Sequence, residues 1–333
     1  AMQAALEALA AATNGAIVDL STFSAINEAH AQADSIPQCV FAKNLVAYAI
    51  KDIVDAYRAG NPIENVVVVG NDNIIPFFRY PDQALLANES NYQPPVQDLT
   101  SSQASLRLGY VLSQDTYGAD VELDRRNSSL PIPQIPVGRL VERPWEITNV
   151  VNTFLEGGGV VSNPAGAFQA LVTGYDFLDD GANAVRDELQ LSLDTDGSAG
   201  GPPGTVNTLI SAATVAPAEA WTADELRVAL LESGRHELVY LAGHFSAGST
   251  LAADYETRLL ASEVAETSDL DLDMSNIIVF SAGCHSGYNI VNKHGVPQVS
   301  FDPDWAQAFA QKGALLIAGT GYQYGDSDFV EYS

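Results

Sequence analysis

Basic residues are scarce in this chain. Against 42 Asp and Glu it carries 15 Lys and Arg, giving a formal net charge of −27 and a pI near 4.2. That field repels phosphodiester backbones and anionic headgroups, which argues against nucleic acid and membrane surfaces as partners. Four of the cations are lysines, a composition that points to a secreted or cell-surface protein. Cysteine is scarcer still: Cys39 and Cys284 are too few for a disulfide framework. An oxidising compartment would permit one Cys39–Cys284 bridge, but their settings differ. Cys39 precedes the apolar stretch VFAKNLVAYAIKDIVDAY, whereas Cys284 follows a strand in Gly- and Ser-rich company. No apolar run approaches the roughly 20 residues that a bilayer requires, so no membrane span is expected. The opening AMQAALEALAAA is helix-prone and lacks a basic n-region, so any signal or pro-segment is expected to have been removed already.

What the chain does have is core. Its 333 residues are 47% hydrophobic and 17% charged, a folded composition sized for one large or two ordinary domains. Short β-rich runs alternate with helical patterns. Strands are expected at 16–20, 66–69, 106–112, 135–137, 170–173, 206–210, 238–242, 277–281 and 314–318. Helices are expected at 40–59, 144–156, 182–193, 222–233 and 304–312. Residues 81–105, with Pro94 and Pro95, suggest a long loop. EGGGVVSNPAG (156–166) is the best linker, dividing an N-terminal α/β half (1–157) from a second half (166–333). Strand–helix alternation demands right-handed crossovers, and hence an α/β fold with a mostly parallel, helix-covered sheet in each half.

In such sheets the working residues sit at the carboxyl ends of strands. Two strand ends carry complementary reagents: Gly243-His244 after LVYLA and Gly283-Cys284 after IIVFSA. A thiol becomes nucleophilic when an imidazole takes its proton. A helix expected to start after Cys284 would add its dipole, and amides near Gly243 and Gly283 would supply an oxyanion hole. His285 competes as base, although adjacent side chains on extended backbone point opposite ways. Cys284, His244, His285 and His294 would also offer zinc ligands, but without a recognisable metal spacing. The bland alternative is that the Cys and His are packing residues.

LVYLAGHFS (238–246) and IIVFSAGCHSG (277–287) resemble the paired His and Cys blocks of caspase-like cysteine peptidases, and most closely the gingipain (C25) family. VVVVGNDNIIPFFRY, SQDTYGADVELD and IPQIPVGRLVERPWEITNVVNTFLE are similar to that family's upstream blocks in the same order, over about residues 60–325. The resemblance implies a caspase-like three-layer sandwich of two subdomains, the second of them catalytic, and hydrolysis of a polypeptide substrate without any cofactor for the chemistry. It implies Cys284 as nucleophile, His244 as general base and Asp176 as the acid that orients the His. It also places Asp180, or its neighbour Asp179, as an S1 acid favouring a basic P1 residue, with Tyr322, Gln323 and Tyr324 walling the pocket. Two departures stand out. Phe245 replaces the usual Gly after the His, and Gly283 replaces the commoner Ala before the Cys. Phe245 and the heavily acidic surface motivate the alternative of an inactive, peptidase-like binding or adhesion module.

Three features weigh less. Asp269, Asp271 and Asp273 offer hard oxygens for a structural calcium, or simply form a solvated acidic edge. Gly70-Asn71-Asp72 lacks the Lys-Ser/Thr pair of a phosphate loop. Arg125–Arg126 reads as a dibasic processing point or as a surface ion-pairing site.

Overall fold

The computed structural model describes residues 1–125, 128–163, 166–195, 203–268, 272–296 and 302–324. Of the features above, Arg126, Asp269 and Asp271 lie outside the described residues. The chain divides into two compact units. One comprises Thr13–Ile147 and Ile290–Ser300; the other comprises Ala1–Ala12, Thr148–Asn289 and Phe301–Ser333. The division therefore falls inside the helix Pro144–Glu156 rather than at 157–166. The later turns of that helix are tied to the second unit. Asn149 Nδ2 donates to the carbonyls of Ala310 (3.1 Å) and Gln311 (3.0 Å), and Asn276 Nδ2 donates to Thr153 O (2.8 Å).

Helix α1 (Met2–Ala12) belongs to the second unit. The first unit opens with α2 (Ser24–Ser35) and α3 (Val40–Gly60). It continues with β1 (Val66–Val69), β2 (Phe78–Pro81), α4 (Ser101–Arg107), β3 (Tyr110–Ser113), β4 (Ala119–Arg125), β5 (Ser128–Pro133) and β6 (Val137–Leu140). α5 (Pro144–Glu156) carries the chain across the division. Three expectations are corrected here. Residues 16–20 form no strand, because Asp19 caps a 3-10 turn by accepting Ser21 N–H at 3.0 Å. The run 106–112 splits between the end of α4 and β3, so the 81–105 loop contains a helix. The unit has no mostly parallel sheet either. β1–β6 is a parallel pair, while β2–β3 and β4–β5 are antiparallel ribbons. Antiparallel pairs need no crossover, and the chain between β1 and β6 is used up in such local pairing.

The core of this unit gathers Ile26, Val46, Ala47, Ile50, Val68, Phe78 and Tyr117. Beside it Asp72 and Arg79 form a buried ion pair at 2.5 Å, and Asp72 Oδ1 accepts Phe77 N–H at 2.9 Å. Burial alone would raise the Asp72 pKa, but the guanidinium and these hydrogen bonds hold it below the usual carboxylate range. Gly70-Asn71-Asp72 is thus part of the scaffold. Losing one partner of such a pair costs about 3–5 kcal/mol.

The second unit is built on a five-stranded, all-parallel sheet. Its elements are β7 (Gln169–Asp176), α6 (Asp179–Thr195), β8 (Thr205–Ala212), α7 (Ala223–Arg227) and β9 (Leu238–Gly243). A small antiparallel sheet of β10 (Phe245–Ser246), β11 (Ser249–Leu251) and β12 (Arg258–Leu260) follows, then α8 (Ala261–Glu266), β13 (Ile278–Gly283), α9 (Trp305–Gln311) and β14 (Leu315–Ala318). The strand order is β14-β13-β9-β7-β8. Along β7, β9 and β13 alternate residues point to opposite faces. One set (Leu171, Tyr175, Val239, Leu241, Val279) packs with Leu226 of α7, Val264 of α8 and Trp305 and Phe309 of α9. On the other face α6 lies against β7 and β8, its Ala182 close to Gly174. Full burial of each such aliphatic side chain contributes about 1.5–3 kcal/mol. No helix of the described residues is long and apolar enough to cross a membrane.

Three histidines carry a pH dependence. In the first unit His30 and His294 are held below the ordinary 6.5, by burial first and then by neighbouring lysines; in the second, burial does the same to His236. Each stays neutral in the native state at pH values where the unfolded chain is already protonated. Their contribution is therefore complete above pH 6.5 and is lost as pH falls through the lower native values. Urea midpoints should fall between pH 7.5 and 5.5; equal midpoints would contradict this account.

Candidate active site

β9 and β13 pair in parallel register from Ile278↔Leu238 to Gly283↔Gly243. The next residue on each strand is His244 on β9 and Cys284 on β13, so the two leave the sheet edge level with one another. Both face away from the helices α7–α9, since Leu241 and Val279 of the opposite parity pack against those helices. On the other side of β9, β7 pairs through Thr173↔Leu241. Asp176 lies as far beyond Thr173 as His244 lies beyond Leu241. The acid, the imidazole and the thiol thus end three neighbouring strands.

Asp176 Oδ2 stands 3.5 Å from His244 Nε2, with both side chains about two-fifths exposed. His244 is fixed from its backbone as well. Its N–H donates to the Tyr175 hydroxyl at 3.0 Å, and that hydroxyl donates to Leu251 O at 2.6 Å. The rings of Tyr175, Phe177 and Tyr255 surround the imidazole at centroid distances of 5.6, 6.1 and 5.9 Å. Because Nε2 faces the acid, Nδ1 is the nitrogen left for the thiol or a substrate.

Cys284 and Cys39 are free thiols. The Cys284 sulfur is bracketed by the backbone of Gln323, receiving its N–H at 3.5 Å and facing its carbonyl oxygen at 3.7 Å. Among the described residues no hydrogen bond joins Cys284 to His244. No helix follows Cys284 either, contrary to expectation. Residues 284–287 form a turn in which His285 has φ +56° and Ser286 Oγ donates to Gly283 O at 2.7 Å. His285 is not the competing base; it is buried, 1% exposed, with its ring 4.6 Å from that of Tyr322.

Three of the amides near the expected oxyanion hole are already engaged. Gly283 N–H donates to Ser281 Oγ (3.3 Å), His285 N–H to Gly321 O (2.9 Å) and Gly287 N–H to Gly319 O (2.8 Å). Gly243 is held within the β9–β13 ladder. Both glycines are required for another reason. A Cβ on Gly243 would meet Tyr175 Cε1 at 2.6 Å, and a Cβ on Gly283 would meet Phe245 Cδ2 at 2.1 Å. Phe245 and Gly283 therefore make one feature: the ring of Phe245, packed 5.7 Å from Trp305, fills the space of a side chain at 283.

The proposed S1 residues do not form one pocket around a buried acid. Asp180 is exposed in the first turn of α6, and Asp179 Oδ2 accepts Ala213 N–H at 2.9 Å. A carboxylate in the first turn of a helix is favoured by the helix dipole, which accounts for both positions. Tyr322 packs on His285, the Gln323 side chain folds over Gly319, and Tyr324 is 55% exposed. Among the described residues no three acidic, His or Cys side chains converge on a metal position. The fourth residue of the expected zinc set, His294, lies in the other unit. Asp273 Oδ1 accepts Ser275 N–H at 2.9 Å, and its other oxygen stands 3.5 Å from Arg235.

The residue that sequence reasoning missed is Tyr255, whose hydroxyl donates to Asp176 Oδ2 at 2.6 Å across 79 positions of chain. No local pattern marks it. Asp176 (φ +57°), Tyr255 (φ +58°) and His285 (φ +56°) all adopt left-handed backbone. Such conformations are costly for non-Gly residues and concentrate at functional sites.

If Phe245 and Gly283 are one feature, Gly283→Ala should lower stability by about 1–3 kcal/mol through overpacking. In a Phe245→Ala background the same change should cost little. Thermal denaturation of the four proteins checks this, and additive losses would refute it. No protein-family model matches the chain, and no curated protein or solved structure does.

Proposed function

We propose that the chain is a cysteine endopeptidase working through Cys284 and His244, with a gingipain-like, caspase-type arrangement of two subdomains. The observation that carries this reading is the Gly283↔Gly243 register, which sends a thiol and an imidazole off adjacent parallel strands side by side. Asp176 beside His244 Nε2 supports it, since a carboxylate there orients the ring and stabilises the imidazolium.

In the proposed reaction the Cys284 thiol proton passes to His244 Nδ1 and Sγ attacks the scissile carbonyl carbon, forming a thioester as the C–N bond breaks. His244 returns the proton to the leaving amine. Water then attacks the thioester, giving its proton to His244 and releasing the thiol and the carboxylic acid product. Hydrogen bonds at resting cysteine sites are commonly long and tighten when substrate binds, so the absence of a Cys284–His244 bond is compatible with this scheme. The chemistry uses no cofactor. The acidic surface favours encounter with basic polypeptides by steering, a preference that weakens with salt. A secreted or cell-surface setting is part of the same proposal.

One observation favours a second reading, an inactive binding module. The sulfur already has both its hydrogen-bonding contacts in Gln323, and Phe245 covers the neighbouring glycine. Cys284→Ala separates the two. On a mixed peptide library the variant should lose all cleavage while keeping the parent's circular dichroism and thermal midpoint, and Asp176→Asn should lose less. Parent and alanine variant cleaving at the same rate would exclude the peptidase.

A further inference from the structure

The loop between β11 and β12 is built to deliver one hydroxyl. Asp254 Oδ1 accepts the N–H groups of Glu256 (3.0 Å) and Thr257 (2.9 Å), and its Oδ2 accepts the Thr257 hydroxyl at 2.7 Å. Thr257 Oγ1 in turn accepts Ala223 N–H (2.7 Å) at the start of α7, and Asp254 N–H donates to Trp221 O (3.2 Å). This lattice holds Tyr255 in left-handed backbone, a conformation that an unsupported tyrosine avoids. Its ring is set edge-on to Tyr175 at 5.7 Å and 5.9 Å from the His244 ring. The outcome is a hydroxyl 2.6 Å from Asp176 Oδ2, the same oxygen that faces His244 Nε2.

A carboxylate on an exposed strand end has several rotamers of similar energy. Asp176, itself in left-handed backbone and two-fifths exposed, would without a fixed donor be open to such turning. A fixed donor removes that freedom by satisfying a lone pair of one oxygen and leaving the rest of that oxygen for the imidazole. We infer that Tyr255 is a positioning residue: its hydroxyl locks Asp176 so that His244 carries its proton on Nε2 and keeps Nδ1 free to accept the Cys284 proton. The inference rests on the peptidase reading for its kinetic consequence, while its consequence for the imidazole does not. Tyr255 is suited to act as a constant donor. Partial burial and then the contact with Asp176 push its pKa up to about 12, so the hydroxyl keeps its proton through the neutral and mildly alkaline range.

The test uses the intact protein and two readouts. The first is the two-bond 1H–15N spectrum of the histidines near neutral pH, assigned with His244→Ala. His244 should appear mainly as the Nε2–H tautomer in the parent and as a mixture in Tyr255→Phe, with the other histidine signals unchanged. In an Asp176→Asn background Tyr255→Phe should change nothing further. The second readout is hydrolysis, where Tyr255→Phe should lower kcat about tenfold at unchanged KM and unchanged thermal midpoint. A purely structural clamp would lower the midpoint and leave the tautomer alone. An unaltered His244 tautomer in Tyr255→Phe overturns the inference, whatever the kinetics. If the parent shows no Cys284-dependent hydrolysis but the tautomer shifts, the peptidase reading fails and the positioning role stands.

Discussion

The parallel pairing of β9 with β13 is the constraint on which the candidate site depends. A strand alternates its side chains between faces, so a one-residue slip would send either His244 or Cys284 toward α9 and away from its partner. Val239, Leu241 and Val279 face the core that contains Leu226, Val264 and Trp305, and this alternation excludes any odd-numbered slip of either strand. Hydrophobic burial thus sets the face of two polar side chains that lie outside the core, and the residues that position the proposed chemistry take no part in it.

Around this register the sheet edge is paved with aromatic rings. Tyr175 supports His244 from below through its hydroxyl and excludes a side chain at 243, while Phe245 does the same at 283. Each ring replaces solvent at a strand end and so limits the ways in which the His and Cys backbones can move. The cost appears as left-handed backbone at Asp176, Tyr255 and His285, each stabilised by local hydrogen bonds or burial. Three of the seven described non-Gly residues in left-handed backbone thus lie at the candidate site, where the proposed nucleophile and base would need fixed geometry. The first unit spends its buried charge differently, with Asp72 and Arg79 fixing the loop after β1.

Much of the second unit was legible in the sequence. Continuous apolar runs such as LVYLA and IIVFS read as buried parallel strands, and the crossover rule put His244 and Cys284 at their carboxyl ends. The first unit was less legible. Its strands are four to seven residues long and pair locally, and AIVDL, apolar in pattern, is largely exposed because Asp19 turns the chain. Capping acids and pocket acids look alike in sequence, which is why Asp179 and Asp180 suggested an S1 site that their exposure and partners do not support. Contacts of high sequence separation were invisible. Tyr255 on Asp176 and Phe245 over Gly283 both depend on the fold being complete, and no spacing rule announces them.

If the neighbouring strand ends make Cys284 and His244 one reactive unit, the reactivity of the thiol must depend on the imidazole. The most direct measurement is covalent labelling of the native protein by a thiol-directed peptide electrophile, followed by mass spectrometry that resolves Cys284 from Cys39. Rapid, peptide-dependent labelling of Cys284 is expected in the parent, with a fall of at least tenfold in His244→Ala and slow labelling of Cys39 in both. Equal labelling of the two cysteines, or a Cys284 rate indifferent to His244, would contradict the one-unit reading.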